Sequence, residues 1–160
     1  MIHNELVTPK DPSQGELESV VALYRQGQLE KALSLATQTL KRFPHSAVIY
    51  NILAAVNSGL GSFDAAIDNC KTAIKINPGY AEAYNNMGNT LKQQGDLKAA
   101  IDSYEQALKI KPDYALAYNN MGNVFYKQGD LGAAINHYRQ ALKINPNYIE
   151  AYTNMGLAQQ

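Results

Sequence analysis

Between residues 81 and 95 the side chains Ala83, Tyr84, Met87, Gly88 and Leu91 fall at i, i+1, i+4, i+5 and i+8, the spacing of one helical face rather than the alternation of a strand. After Gly95 a second apolar series runs through Leu97, Ala100, Ile101, Tyr104, Ala107 and Leu108 and ends ahead of Pro112. The pattern predicts helix, tight turn, helix. Gly95 suits a left-handed helix end, and Asp96 supplies an N-cap oxygen for the second helix, with Asp130 and Ser62 in the same role one copy later and one copy earlier. Lys75, Lys109 and Lys143 stand in the last turns, opposite the negative end of the helix dipole. For the first helices, Asp113 and Asn147 are the expected caps, and Asn147 with Glu150 has the spacing of a capping box.

The same pattern is written again over 115–148, where 23 of 34 positions repeat those of 81–114. Sliding the register back gives copies at 47–80 and 13–46, and forward the opening of a fifth at 149–160. Gly27, Gly61, Gly95 and Gly129 keep the 34-residue step, as do Pro44, Pro78, Pro112 and Pro146. A fixed short period means that one supersecondary unit, unable to bury its own apolar face, stacks on its neighbours. The expected fold is therefore an all-α solenoid of hairpins, with nine helices over 13–159 and almost no strand. Residues 1–12, with two prolines and few apolar side chains, read as a flexible lead-in. Gly88, Ala100 and Ala107, like Gly122, Ala134 and Ala141, mark close helix approach, with large Tyr84 and Tyr104 beside them. The eleven tyrosines occupy four places of the repeat: 50, 84, 118 and 152; 80, 114 and 148; 104 and 138; 24 and 126. The first three sets read as packing.

Fourteen basic and fourteen acidic side chains give zero net charge, which argues against nucleic acid as a partner. No apolar run has the length of a membrane span and no secretory signal is visible, so a cytoplasmic location is expected. Cys70, at the place of Tyr104 and Tyr138, reads as core. His3, His45 and His137 lack ligand spacing, and neither a catalytic constellation nor a phosphate loop is present, so no metal, cofactor or enzymatic activity is expected.

A 34-residue helix–turn–helix unit with an aromatic at 84, an aliphatic at 87, glycine at 88, alanine at 100, an aromatic at 104, alanine at 107 and proline at 112 resembles the tetratricopeptide repeat. The resemblance covers 13–160 and is weakest in the first copy, where Glu16, Ser19 and Thr39 replace an aromatic, an aliphatic and an alanine. It implies a right-handed superhelix whose first helices line a concave, protein-binding surface, with the first copy as an N-terminal cap of polar outer face.

The first helices are rich in asparagine: Asn51, Asn85, Asn86, Asn89, Asn119, Asn120, Asn123 and Asn154. Asparagine is a mediocre helix former, roughly 0.6 kcal/mol below alanine, so something offsets its use. Residues 85, 89 and 92 share a face with one another, as do 119, 123 and 126, and this face is expected opposite the stripe that packs on the second helix. Amides there, with Tyr126 and Lys127, suit the backbone of an extended peptide. Asn86, Asn120 and Asn154 would form a row similar to the asparagine ladder of O-linked N-acetylglucosamine transferases; the alternative is that the amides bridge helices or are solvated. A clamp for acidic chaperone tails lacks its basic residues, since its places hold Glu82, Asn85, Leu116, Asn119 and Glu150.

Three roles are compatible with these features. They are a peptide-binding scaffold, the recognition or oligomerisation module of a larger glycosyltransferase- or sulfotransferase-like enzyme, and a self-assembling protein. In the last, the face of Tyr152, Met155 and Gly156, uncovered by a second helix, would carry homo-oligomerisation or mark a missing segment.

Overall fold

The computed structural model describes residues 11–160. The lead-in expected over 1–12 thus lies outside the described residues except for its last two, and these are anchored: Pro12 is buried, and Asp11 accepts a 2.6 Å hydrogen bond from the Ser46 hydroxyl. Among the described residues nine helices and no strand are present. The chain divides after Asn77 into two compact units, at a connection between two copies, so no hairpin is cut.

The first unit holds α1 (Gln14–Arg25), α2 (Leu29–Arg42), α3 (Ala47–Gly59) and α4 (Phe63–Ile76). Val20, Ala32, Ala36, Ile49, Leu53 and Val56 form its core, with Leu17, Leu23, Leu33 and Ile52 packed around them. The second unit holds α5 (Ala81–Gln94), α6 (Leu97–Ile110), α7 (Ala115–Gln128), α8 (Leu131–Ile144) and α9 (Ile149–Ala158). Its core is layered. Ala100 and Tyr104 of α6 meet Met121 and Val124 of α7, and Ala134 and Tyr138 of α8 meet Ala158 and Met155 of α9.

Turn chemistry fixes the hairpins. Gly95 and Gly129 adopt φ of 92° and 81°, a region open to glycine at little steric cost. The amide of Asp96 then reaches back to the carbonyl of Leu91, and that of Asp130 to Phe125, the six-to-one bond that closes a helix C-terminus. Asp96 and Asp130 cap α6 and α8 through the amides of Ala99 and Ala133, each at 3.0 Å.

Other caps differ from the sequence expectation. Ser62 precedes α4 but makes no side-chain cap bond. Tyr114 and Tyr148, not Asp113 and Asn147, occupy the cap positions of α7 and α9; the connection delivers the chain to the helix one residue later, and Asn147 instead donates its amide to Asn145 Oδ1. The capping box lies at the other end of the chain, where Ser13 and Glu16 satisfy each other's backbone amides. Its Ser-x-x-Glu spacing is plain in the sequence.

Each hairpin is closed by a small residue facing a larger one, and the partners change size along the chain. At one pair of repeat places stand Val20 and Ala36, then Ala54 and Cys70, then Gly88 and Tyr104, then Gly122 and Tyr138; Val20, Ala36, Ala54, Cys70 and Tyr104 are fully buried and Tyr138 nearly so. A Cβ on Gly88 would lie 2.6 Å from the Tyr104 ring, closer than non-bonded carbons approach. Burial pushes the Cys70 thiol up to about 12, which keeps it protonated and unreactive. Tyr152, grouped by sequence with the packing tyrosines, is 52% exposed, as are Ile149 at 79% and Leu157 at 50%. Met155 departs from the uncovered stripe expected of it by packing against α8.

Candidate functional site

The asparagines on the first helices of the second unit fall into two structural classes. Asn85 and Asn119, fifth in α5 and α7, are 1% and 0% exposed, and Asn120 is 6% exposed. Burial of an amide requires partners, and the neighbouring first helix supplies them. Asn120 Nδ2 donates to Asn85 Oδ1 at 3.0 Å, and Asn154 Nδ2 donates to Asn119 Oδ1 at 3.1 Å. Asn119 passes the chain on, donating from Nδ2 to Glu150 Oε1 at 3.1 Å. These bonds tie α5 to α7 and α7 to α9.

Asn89 and Asn123 form the second class. Asn89 Oδ1 accepts a 2.7 Å hydrogen bond from the Tyr104 hydroxyl, and Asn123 Oδ1 accepts the same bond from Tyr138 at 2.8 Å. The face carrying residues 85, 89 and 92 is therefore not opposite the second helix, contrary to the expectation from helical spacing. It borders it closely enough for the tyrosine ring that fills the hairpin to reach the amide with its hydroxyl. Each hydroxyl takes the carbonyl side of its amide, so each asparagine keeps its amino group, a donor of two hydrogens.

The other sequence candidates differ in exposure. Asn51 in α3, Asn86 in α5 and Asn154 in α9 are half-buried, while Tyr126, 43% exposed, and Lys127 stand open to solvent on α7. Asn120 and Asn154 of the expected row are engaged within the chain, since both donate to the preceding first helix. Two groups that the sequence reading placed but gave no part in this site also bear on it. Lys92 is held below its ordinary range, chiefly by burial and further by Lys127, with Glu150 opposing, and Glu150 itself anchors Asn119. The tyrosine–asparagine pairs had a signal: a separation of fifteen residues recurring one repeat later, from 89 and 104 to 123 and 138.

Among the described residues no helix is long and apolar enough to cross a membrane. No group of three or more His, Cys, Asp or Glu side chains is placed to hold a metal ion there.

Comparison with known proteins places these hairpins. The crystal structure of MamA matches with a TM-score of 0.71 at 27% identity, covering 87% of this chain and 81% of that one. A thermophilic TPR protein of Thermus thermophilus matches with a TM-score of 0.84 at 21% identity, over 90% and 79% of the two chains. The APC/C hetero-tetramer Cut9–Hcn1 matches with a TM-score of 0.80 at 21% identity, over 92% of this chain but 30% of that one; at such identity the likeness is one of fold. No curated protein matches by sequence. The family model described as TPR repeat matches residues 60–95, 88–129 and 122–160, and the one described as Tetratricopeptide repeat matches 17–46. With more than half of its length matched and its α5/α6 and α7/α8 hairpins closed by the family's small and aromatic places, the chain belongs to the tetratricopeptide repeat family.

Proposed function

We propose that this protein is a non-catalytic scaffold that binds an extended segment of a partner protein across the first helices of its second unit. The observation that carries the reading is the pair of oriented amides. Tyr104 and Tyr138 hold the carbonyls of Asn89 and Asn123, so both amino groups are set in advance as donors one repeat apart. Pre-set donors lose little conformational freedom on binding, and a peptide backbone offers carbonyl acceptors whatever its side chains. Tyr126 adds an exposed ring and Lys127 a cation beside Asn123. The bridged asparagines 85, 119 and 120 hold the neighbouring helices in register beneath this face. A role with protein partners also agrees with the hetero-tetramer in which one structural relative was crystallised.

The test is to select binders from a library of extended peptides on the wild-type chain and to measure them again on Asn89→Asp with Asn123→Asp. Aspartate keeps an acceptor for each tyrosine hydroxyl and removes the amino donor. Unchanged helicity with at least tenfold weaker binding, about 1.4 kcal/mol, is the expected result. Undiminished binding would move the site elsewhere.

A further inference from the structure

A cavity of about 210 Å³ opens between α1 and α2, lined by Glu16, Ser19, Leu35, Gln38, Thr39 and Arg42. Its position follows from the repeat register. Glu16 stands at the place of Tyr50, Tyr84 and Tyr118, Ser19 at that of Leu53, Met87 and Met121, and Thr39 at that of Ala73, Ala107 and Ala141. In later hairpins the tyrosine at the first of these places lies against second-helix positions equivalent to ones that line the cavity. Tyr84 packs in the cluster of Ala107, the counterpart of Thr39, and Tyr118 stacks at 6.2 Å on His137, the counterpart of Leu35. The cavity is the ring site of the repeat with the ring removed.

We infer that this vacated site receives a tyrosine side chain from a partner protein. Size and shape argue for an aromatic ring, because the same scaffold positions seat one elsewhere in this chain. A closed apolar cavity of about 150 Å³ suffices for benzene. The lining argues for a ring that carries a hydroxyl. The Ser19 and Thr39 hydroxyls are engaged by the carbonyls of Gly15 and Leu35 in their own helices, while Glu16 and Arg42 contribute a carboxylate acceptor and a guanidinium donor, and Gln38 an amide. Glu16 is already fixed in place by Ser13 and by Arg42, so the acceptor is set before the ring arrives. A bare phenyl ring would desolvate these groups without repaying them.

The probe is p-cresol, which is the tyrosine side chain as a free molecule, with toluene as the hydroxyl-free control, titrated into the full chain while the Leu35 and Thr39 methyl resonances are followed by NMR. Saturable shifts confined to this hairpin are expected, with p-cresol binding at least fivefold more tightly than toluene. Glu16→Tyr, which restores the ring of the later copies, should weaken p-cresol binding at least tenfold while the chain remains helical; Ser19→Met offers a second way to fill the space if the first variant folds poorly. The absence of saturable shifts in the wild type would overturn the proposal, as would equal binding to the filled variants. Equal binding of the two probes would replace a tyrosine by an unselective apolar ligand and overturn it too.

Discussion

The α1/α2 hairpin and the α7/α8 hairpin occupy the same register and use opposite packing. In the first, a valine on the first helix faces an alanine on the second; in the other, a glycine faces a tyrosine. Both pairs are buried, so both solve the same volume problem. The difference lies in what comes with the large residue. Val20 is inert, whereas Tyr138 carries a hydroxyl that crosses the hairpin to hold Asn123. Moving bulk from the first helix to the second thus converts a packing contact into a means of orienting a polar group. The first hairpin, lacking the tyrosine at both aromatic places, has a cavity and a Glu16–Arg42 ion pair instead.

The sharpest way to break this comparison is to exchange the pairs. Tyr138→Ala should cost about 3–5 kcal/mol, the range for deleting a buried aromatic, and Gly122→Val about 1–3 kcal/mol by overpacking. Together they recreate the Val20/Ala36 pair, so the double variant should lose less than the sum, with a coupling of about 0.5–3 kcal/mol in chemical denaturation. Simple additivity would show that the two places do not share a volume.

A smaller effect is expected where the second unit has amide bridges. Asn120→Ala leaves Asn85 Oδ1 without its donor in a site 1% exposed, which should cost about 1–3 kcal/mol despite the better helix propensity of alanine. Helix propensity alone predicts that alanine at 86, 120 and 154 leaves the fold at least as stable; with Asn120 and Asn154 both donating across helices, the triple variant should instead melt earlier. A melting temperature that stays level would mean the bridges contribute nothing.

The two hairpins should also differ in acid. His137 stacks on Phe125 at 5.1 Å, and its Nδ1 is buried without a partner. Burial holds its pKa below 6.5, against a raising influence from Glu105. The unfolded chain therefore takes up the proton first as pH falls below 6.5, and stability present above that value is lost down to the folded pKa. His137→Leu, which copies Leu35 of the first hairpin, should remove that part of the acid dependence in thermal melts from about pH 7.5 to about pH 5.

The smallest effect separates two glycines at one repeat place. A Cβ on Gly156 meets nothing within 4 Å, so Gly156→Ala should be neutral or stabilising by up to about 1 kcal/mol. At Gly122 the same change drives into the Tyr138 ring and should destabilise.

Helix boundaries were the most legible feature, because glycine and proline recur on one step and the apolar places follow from it. Leu29, Phe63, Leu97 and Leu131 each open a second helix. The fate of the asparagines was less legible for a geometric reason. Comparison at the 34-residue step pairs equivalent places, whereas the bridges join residues 35 apart, Asn85 with Asn120 and Asn119 with Asn154. Which unlike places meet depends on the rise and rotation between neighbouring first helices. The tyrosine–asparagine bonds were missed because the asparagine face was expected opposite the second helix, whereas residues 85 and 92 stand three and four positions from Gly88, against which the Tyr104 ring packs, so this face borders the packing stripe. For Asp113 and Asn147 the residue types favoured a cap that the path of the connection then placed one position on.

The offset bridges bear on how such a chain can grow. Asn120 reaches back to the preceding hairpin, and Asn119 receives Asn154 from the following one, so 115–148 carries both halves of the joint. A tandem duplication of that segment would present each new junction with a donor on one side and an acceptor on the other. Loss of one such duplicate would rejoin the same two groups. Because the α5–α7 and α7–α9 junctions match one another, a whole copy of this segment can be gained or lost there with the asparagine pair kept at each joint, and length becomes a trait open to unequal recombination.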